Sequence, residues 1–165
     1  MHMADALINP AVGGGMWAAA AGTAAYSVKK AQISLDEKKI PLMGVMGAFV
    51  FAAQMINFAI PGTGSSGHIG GGLLLAALLG PYDGFLTLMS VLAIQALFFG
   101  DGGLLALGCN IINMGFFTCF VAYPLIYKPI IHKGHAVKRI FPAAILASVV
   151  GLQLGSIGVV LETHF

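Results

Sequence analysis

The stretch Ile69-Gly70-Gly71-Gly72-Leu73-Leu74-Leu75-Ala76-Ala77-Leu78-Leu79-Gly80, followed at once by Pro81-Tyr82-Asp83-Gly84, decides how this chain folds. It is apolar and glycine-flanked, yet shorter than the roughly 17 to 25 residues that a helix needs to cross a bilayer. Pro and Gly then punctuate the chain into a turn. Around it lie longer apolar runs at 11–28, 41–60, 82–99, 103–127 and 140–161, each long enough to span. The chain has six spans if 69–80 is a crossing, and five if it merges with 82–99.

Charge separates the two readings. Lys29, Lys30, Lys38 and Lys39 bracket one loop, and Lys128, Lys133, Lys138 and Arg139 fill another; these are all eight basic residues. Short loops rich in Lys and Arg stay cytoplasmic. Both loops share a side only if an even number of crossings separates them, which requires 69–80 to cross. Irregular backbone buried inside the protein can complete a passage that a short helix cannot. The N-terminus, the 61–68 loop, the Gly100–Gly103 turn and the final Glu162-Thr163-His164-Phe165 are then expected to face outward.

The composition agrees with an all-α integral membrane protein of about six transmembrane helices, in one membrane domain over 1–165. Hydrophobic residues make up 58% and charged residues 8%, against about a quarter charged in soluble domains. A net charge of +2 is too small to suggest nucleic acid. Cys109 and Cys119 fall in one apolar stretch and read as small buried hydrophobes, not as a disulfide framework. No basic segment precedes a cleavable apolar core, so Met1 and His2 are expected to remain in the mature chain. Ala18 and Gly22, Ala21 and Ala25, and Gly44, Ala48 and Ala52 recur at four-residue spacing. Such stripes let backbones approach closely in lipid, either within the bundle or against another membrane subunit.

Several chemistries are excluded. The glycines around Gly62–Gly72 lack the Gly-Lys-Ser/Thr ending of a phosphate loop, and no His-Glu-x-x-His is present. No Asp, Glu, Lys or Arg sits mid-span, which weighs against a proton-coupled carrier. Histidine remains. His132 and His135 lie in a basic loop and His164 near the chain end, where solvated surface is the simpler reading. His2 and His68 share the expected outer side. A lone loop histidine such as His68 is more often polar surface than a ligand, and His2 could be an accidental start residue.

Position two nevertheless has its own chemistry. A free Met1 amine and the His2 amide nitrogen close a five-membered ring on a metal, and that amide with the near imidazole nitrogen closes a six-membered one. Three nitrogens result, almost coplanar, with one in-plane position left for an imidazole such as His68. Four nitrogens in a plane suit Ni(II) or Cu(II), whereas Zn(II) prefers a tetrahedron.

Met1-His2-Met3-Ala4-Asp5-Ala6-Leu7 resembles the start of the CbiM/NikM proteins. The run Ala48–Phe58, Ser66-Gly67-His68-Ile69-Gly70-Gly71-Gly72-Leu73, Asp101-Gly102-Gly103-Leu104 and Gly108-Cys109-Asn110 are also similar to that family, in order over most of the chain. The family comprises substrate-capturing S components of energy-coupling-factor transporters for cobalt or nickel. The resemblance implies no enzymatic activity in this subunit and no cofactor. It implies partners: a membrane coupling (T) subunit, a cytoplasmic ATPase pair and often a small accessory membrane subunit. Carried over by position, the metal ligands are the Met1 amine, the His2 amide and imidazole, and the His68 imidazole. Asp5, Gln54, Asn57 and Asn110 are implied to lie near the site, where they would orient ligands. The alanine pattern of the second span resembles the surface that meets the coupling subunit. Two features depart from the pattern: Ala6 stands where the family has Gly, and family members normally continue into a further C-terminal helix. A stand-alone metal channel or secondary carrier is the alternative. An intramembrane metalloenzyme would need an open metal position and a general base.

Overall fold

The computed structural model describes residues 2–33, 39–62, 65–132 and 137–164. Six helices run in sequence: α1 (Pro10–Ile33), α2 (Lys39–Gln54), α3 (Gly72–Leu79), α4 (Pro81–Phe99), α5 (Leu107–His132) and α6 (Val137–His164). Their ends follow local chemistry. The Asn9 side chain accepts the Ala11 N–H at 2.9 Å ahead of α1, with Pro10 in the first helical position. Gly100, at φ 64°, closes α4 in the left-handed conformation and donates its N–H to Gln95 O. The middle of α5, Ile112–Tyr127, is wound in wide π turns, and beyond Pro124 the Lys128 N–H reaches back to Tyr123 O.

The decisive stretch crosses by combining two conformations. Helix α3 has eight residues, about 12 Å of rise. It is preceded by a non-helical leg, His68–Gly71. The far end of α3 turns through Gly80 into α4, where Asp83 pairs with Lys39 at 3.4 Å, at the basic end of the bundle. His68 lies at the opposite end, its ring 4.6 Å from that of His2. Leg and helix together therefore traverse the thickness that α4 covers in one piece. The exposed backbone of the leg is satisfied from within: Gln54 Nε2 donates to Gly70 O at 2.8 Å, and Gln95 Nε2 donates to Gln54 Oε1 at 3.0 Å. Both glutamines are fully buried. In an apolar surround an unpaired carbonyl costs several kcal/mol, so this polar pair is what makes an irregular crossing tolerable.

Close backbone packing joins α3 to α4 and α1 to α5. A Cβ on Gly84 would lie 2.7 Å from the Ala76 backbone, and a Cβ on Gly108 would lie 2.5 Å from the Trp17 backbone. Val50, Leu75, Phe85, Leu88, Leu92, Ile111 and Met114 fill the core where α2, α3, α4 and α5 meet.

The structure departs from the sequence expectations, or adds to what they left open, in four respects. The apolar run 41–60 is not one helix: α2 ends at Gln54, and Phe58–Ile60 is a strand. An apolar run carries no period that tells helix from strand, and here pairing with a neighbouring strand decides. Among the described residues three helices, α4, α5 and α6, are long and apolar enough to span by themselves, while α2 has 16 residues. The small-residue stripes do not pack inside this chain. Ala18, Ala21, Gly22, Ala25, Gly44, Ala48 and Ala52 are all exposed, and nothing lies within 4 Å of a Cβ built on Gly22 or Gly44. Finally, the chain end is helical through His164, and Glu162 is buried where it accepts Asn113 Nδ2 at 2.7 Å.

Candidate metal centre

The site is built on a small sheet that no periodicity announced. Strands β1 (His2–Met3), β2 (Phe58–Ile60) and β3 (Ser65–Gly67) form an antiparallel sheet in the order β1-β3-β2. His2 stands opposite Ser66 in the register, so the chain reaches His68 two residues past that pairing. A Cβ at Gly67 would meet the tip of the Phe58 ring at 2.6 Å, so the exposed ring packs over the glycine and would have to swing aside for any larger residue.

The other edge of β1 is clamped by the turn before α5 and by its first turn. Met3 N–H donates to Asn110 Oδ1 at 2.9 Å, and Met3 O accepts Gly103 N–H at 2.9 Å. Asp5 Oδ1 accepts Ala106 N–H at 2.9 Å, placing a carboxylate where the α5 backbone begins with unsatisfied donors. A Cβ on Gly103 would fall on that carboxylate. Met3 is fully buried and His2 nearly so.

His2 and His68 meet with ring centroids 4.6 Å apart and planes tilted by 37°. His68 Nδ1 lies 2.8 Å from Ile69 O. A carbonyl can only accept, so Nδ1 carries the proton there and Nε2 is the lone-pair nitrogen. His2 Nδ1 lies 3.1 Å from Asp101 Oδ1, and Asn57 Nδ2 donates to Asp101 Oδ2 at 3.2 Å. Burial holds the His2 ring well below its usual range, at about 4, against the opposing pull of Asp101; the charge of His68 lowers it further. Burial likewise lowers the pKa of His68. Both rings are thereby kept neutral, the state in which imidazole binds metal.

Among the described residues no three His, Cys, Asp or Glu side chains converge closely enough to cage a metal. Two neutral imidazoles in contact can supply two donors. Met1 lies outside the described residues.

The remaining sequence candidates divide. Asn57 reaches the histidine pair through Asp101. Asp5 and Asn110 hold the strand that carries His2. Gln54 grips the leg that carries His68 and is bonded to neither ring. Of the other histidines, His132 and His164 are exposed at helix ends, and His135 lies outside the described residues. Cys109 and Cys119 are buried free thiols. Asp101 was missed as a site residue. Its signal was available: it sits in the Gly100–Gly103 turn, on the same expected side as His2 and His68.

A family model described as the cobalt uptake substrate-specific transmembrane region matches residues 2–165. A protein of Haloquadratum walsbyi named for metal transport is 39% identical over 158 residues, which cover 94% of this chain and 72% of that protein. A protein of Archaeoglobus fulgidus named for fused nickel transport is 37% identical over 157 residues, covering 95% of this chain and 50% of its own length. The chain thus spans about half of that relative. The crystal structure of a truncated transition metal transporter superposes with a TM-score of 0.89 at 35% identity, over 99% of this chain and 74% of that one.

Proposed function

Since the chain belongs to the CbiM family of cobalt uptake transmembrane regions, we propose that it is the capture subunit of an ATP-driven importer of Ni(II) or Co(II). The cation is taken from the outer side by the Met1 amine, the His2 amide and imidazole, and the His68 imidazole. The subunit is not itself an enzyme; a cytoplasmic ATPase pair hydrolyses ATP and a membrane coupling subunit transmits the work, with a small accessory membrane subunit where one is present.

One observation carries this reading: two neutral imidazoles from distant parts of the chain lie ring to ring at 4.6 Å, one of them on the second residue. Position two makes the amide and amine available at the same point, and the four nitrogens form a plane that favours Ni(II) over metals preferring a tetrahedron. The exposed stripes Ala18, Gly22 and Ala25 on α1 and Gly44, Ala48 and Ala52 on α2 support a helical membrane partner, because small side chains leave room for another backbone. The basic end supports the orientation with the N-terminus outside.

The test is equilibrium nickel binding to three inserted forms: untagged, with an uncleaved histidine-free N-terminal extension, and with a C-terminal extension of the same size. The N-terminal extension turns the amine into a peptide nitrogen and is expected to abolish tight capture, as is His68→Ala; the C-terminal extension is expected to leave it intact. An N-terminally extended protein that binds as tightly as the untagged one refutes the terminal-amine chelate.

A further inference from the structure

Asp101 is a partly covered carboxylate beside His2 that is not one of the four proposed nitrogen donors. Its side chain is 16% exposed, and each of its oxygens meets a neighbour at the site. Oδ1 faces His2 Nδ1 at 3.1 Å, and Oδ2 accepts from Asn57 Nδ2 at 3.2 Å. The backbone on either side is held: Asp101 N–H donates to Gln95 O at 3.1 Å, and Gly102 adopts φ 91° with its position packed against Asn110 and His2. The carboxylate is therefore presented on a rigid turn.

His2 Nδ1 is the near nitrogen, the one whose coordination closes the six-membered ring with the His2 amide. A metal that takes it binds on the nitrogen that faces Asp101 Oδ1 at 3.1 Å. The captured species is a divalent cation bound to one deprotonated amide, a net charge of +1 in a pocket where His2 is almost wholly buried. A buried charge is costly unless an opposite charge accompanies it. We propose that Asp101 is the charge partner of the captured metal, set beside the chelate and oriented by Asn57, and that it acts through its negative charge. This rests on the capture reading above and adds a residue that the four-nitrogen set does not contain.

The experiment is nickel and cobalt titration of detergent-solubilised, untagged protein carrying Asp101→Asn, Asp101→Glu or Asn57→Ala, with melting of each metal-free form as the check on folding. Asp101→Asn keeps the shape and an acceptor oxygen and removes only the charge. With the carboxylate partly exposed, the effective dielectric constant lies between about 20 and that of bulk water, and affinity is expected to fall about tenfold to a hundredfold. The metal-free melt and the absorption bands of bound nickel at saturation should stay unchanged, since all four nitrogens remain. Asp101→Glu should restore most of the affinity. Asn57→Ala should weaken binding less, and should have no further effect when added to Asp101→Asn, since it acts through the same carboxylate. Tight wild-type binding together with equally tight binding by Asp101→Asn overturns the Asp101 inference alone. A wild-type protein that fails to bind through its free N-terminus overturns the capture reading and this inference with it. Should Asp101→Asn fail to fold, Asn57→Ala decides: it lies at an exposed residue, and unchanged affinity there counts against the inference.

Discussion

Replacing Gln54 by Met tests whether an irregular crossing is held by one buried amide. Met keeps the length and flexibility of the side chain but neither donates nor accepts comparably. The change removes the 2.8 Å bond to Gly70 O and the 3.0 Å bond from Gln95 Nε2, leaving a backbone carbonyl and an amide nitrogen unpaired in a dry core. Each orphaned group costs about 1–3 kcal/mol in water-soluble proteins. Interhelical hydrogen bonds in membranes average about 0.6 kcal/mol, because the unfolded chain in lipid also finds partners. Two bonds, one of them to a non-helical leg that cannot satisfy itself, give an expected loss of about 2 kcal/mol. For a chain of this size that lowers Tm by about 4–8 °C. Because the leg ends at His68, nickel affinity should fall together with stability. Gln95→Met, which breaks one bond, should cost less, and the double variant should cost less than the sum of the two. The assay is thermal unfolding in detergent with parallel nickel titration. A Gln54→Met protein that melts at the wild-type temperature and binds nickel with wild-type affinity refutes the reasoning.

The metal-free protein should lose stability in mild acid. The unfolded His2 side chain takes a proton near its ordinary 6.5 and the folded one only near 4. Stability from its neutral form is therefore complete above about 6.5 and lost as pH falls toward 4. Melts at stepped pH should show that decline, and His2→Ala should flatten it; an equal decline in the variant excludes His2 as the cause. Glycines on the two faces of the bundle should respond oppositely. Gly108→Ala, whose Cβ would lie 2.5 Å from the Trp17 backbone, should destabilise by about 1–3 kcal/mol by forcing α1 from α5. Gly44→Leu, with open space around it, should leave the isolated protein's melt unchanged while preventing co-purification with a membrane partner.

Membership of a membrane class was legible from composition alone, since charge is too scarce to cover a soluble surface and all Lys and Arg are gathered around two loops. The necessity of a crossing at 69–80 was legible from the parity of those loops, a constraint that holds whatever the detailed conformation. The ring sizes that a histidine at position two behind a free amine can close were legible, because they are covalent and no fold alters them.

What remained for tertiary structure were the facts that depend on distant partners. The strand at Phe58–Ile60 exists because β3 pairs with it, and β3 in turn pairs with His2–Met3; no local period encodes pairings between segments so far apart. The outward aspect of the small-residue stripes followed from which faces of α1 and α2 their neighbours cover. Gln54 serves the crossing leg and leaves the histidine pair to others, because its depth in the bundle matches Gly70. Asp101 stands beside His2 because Gly100 and Gly102 both take the left-handed backbone and turn the chain back over the site. Sequence determined the solvent, the parity and the covalent spacing of nitrogens at residue 2, which are local or additive properties. Geometry decided which side chains face one another, because that is set by long-range pairing and close packing that no single segment contains.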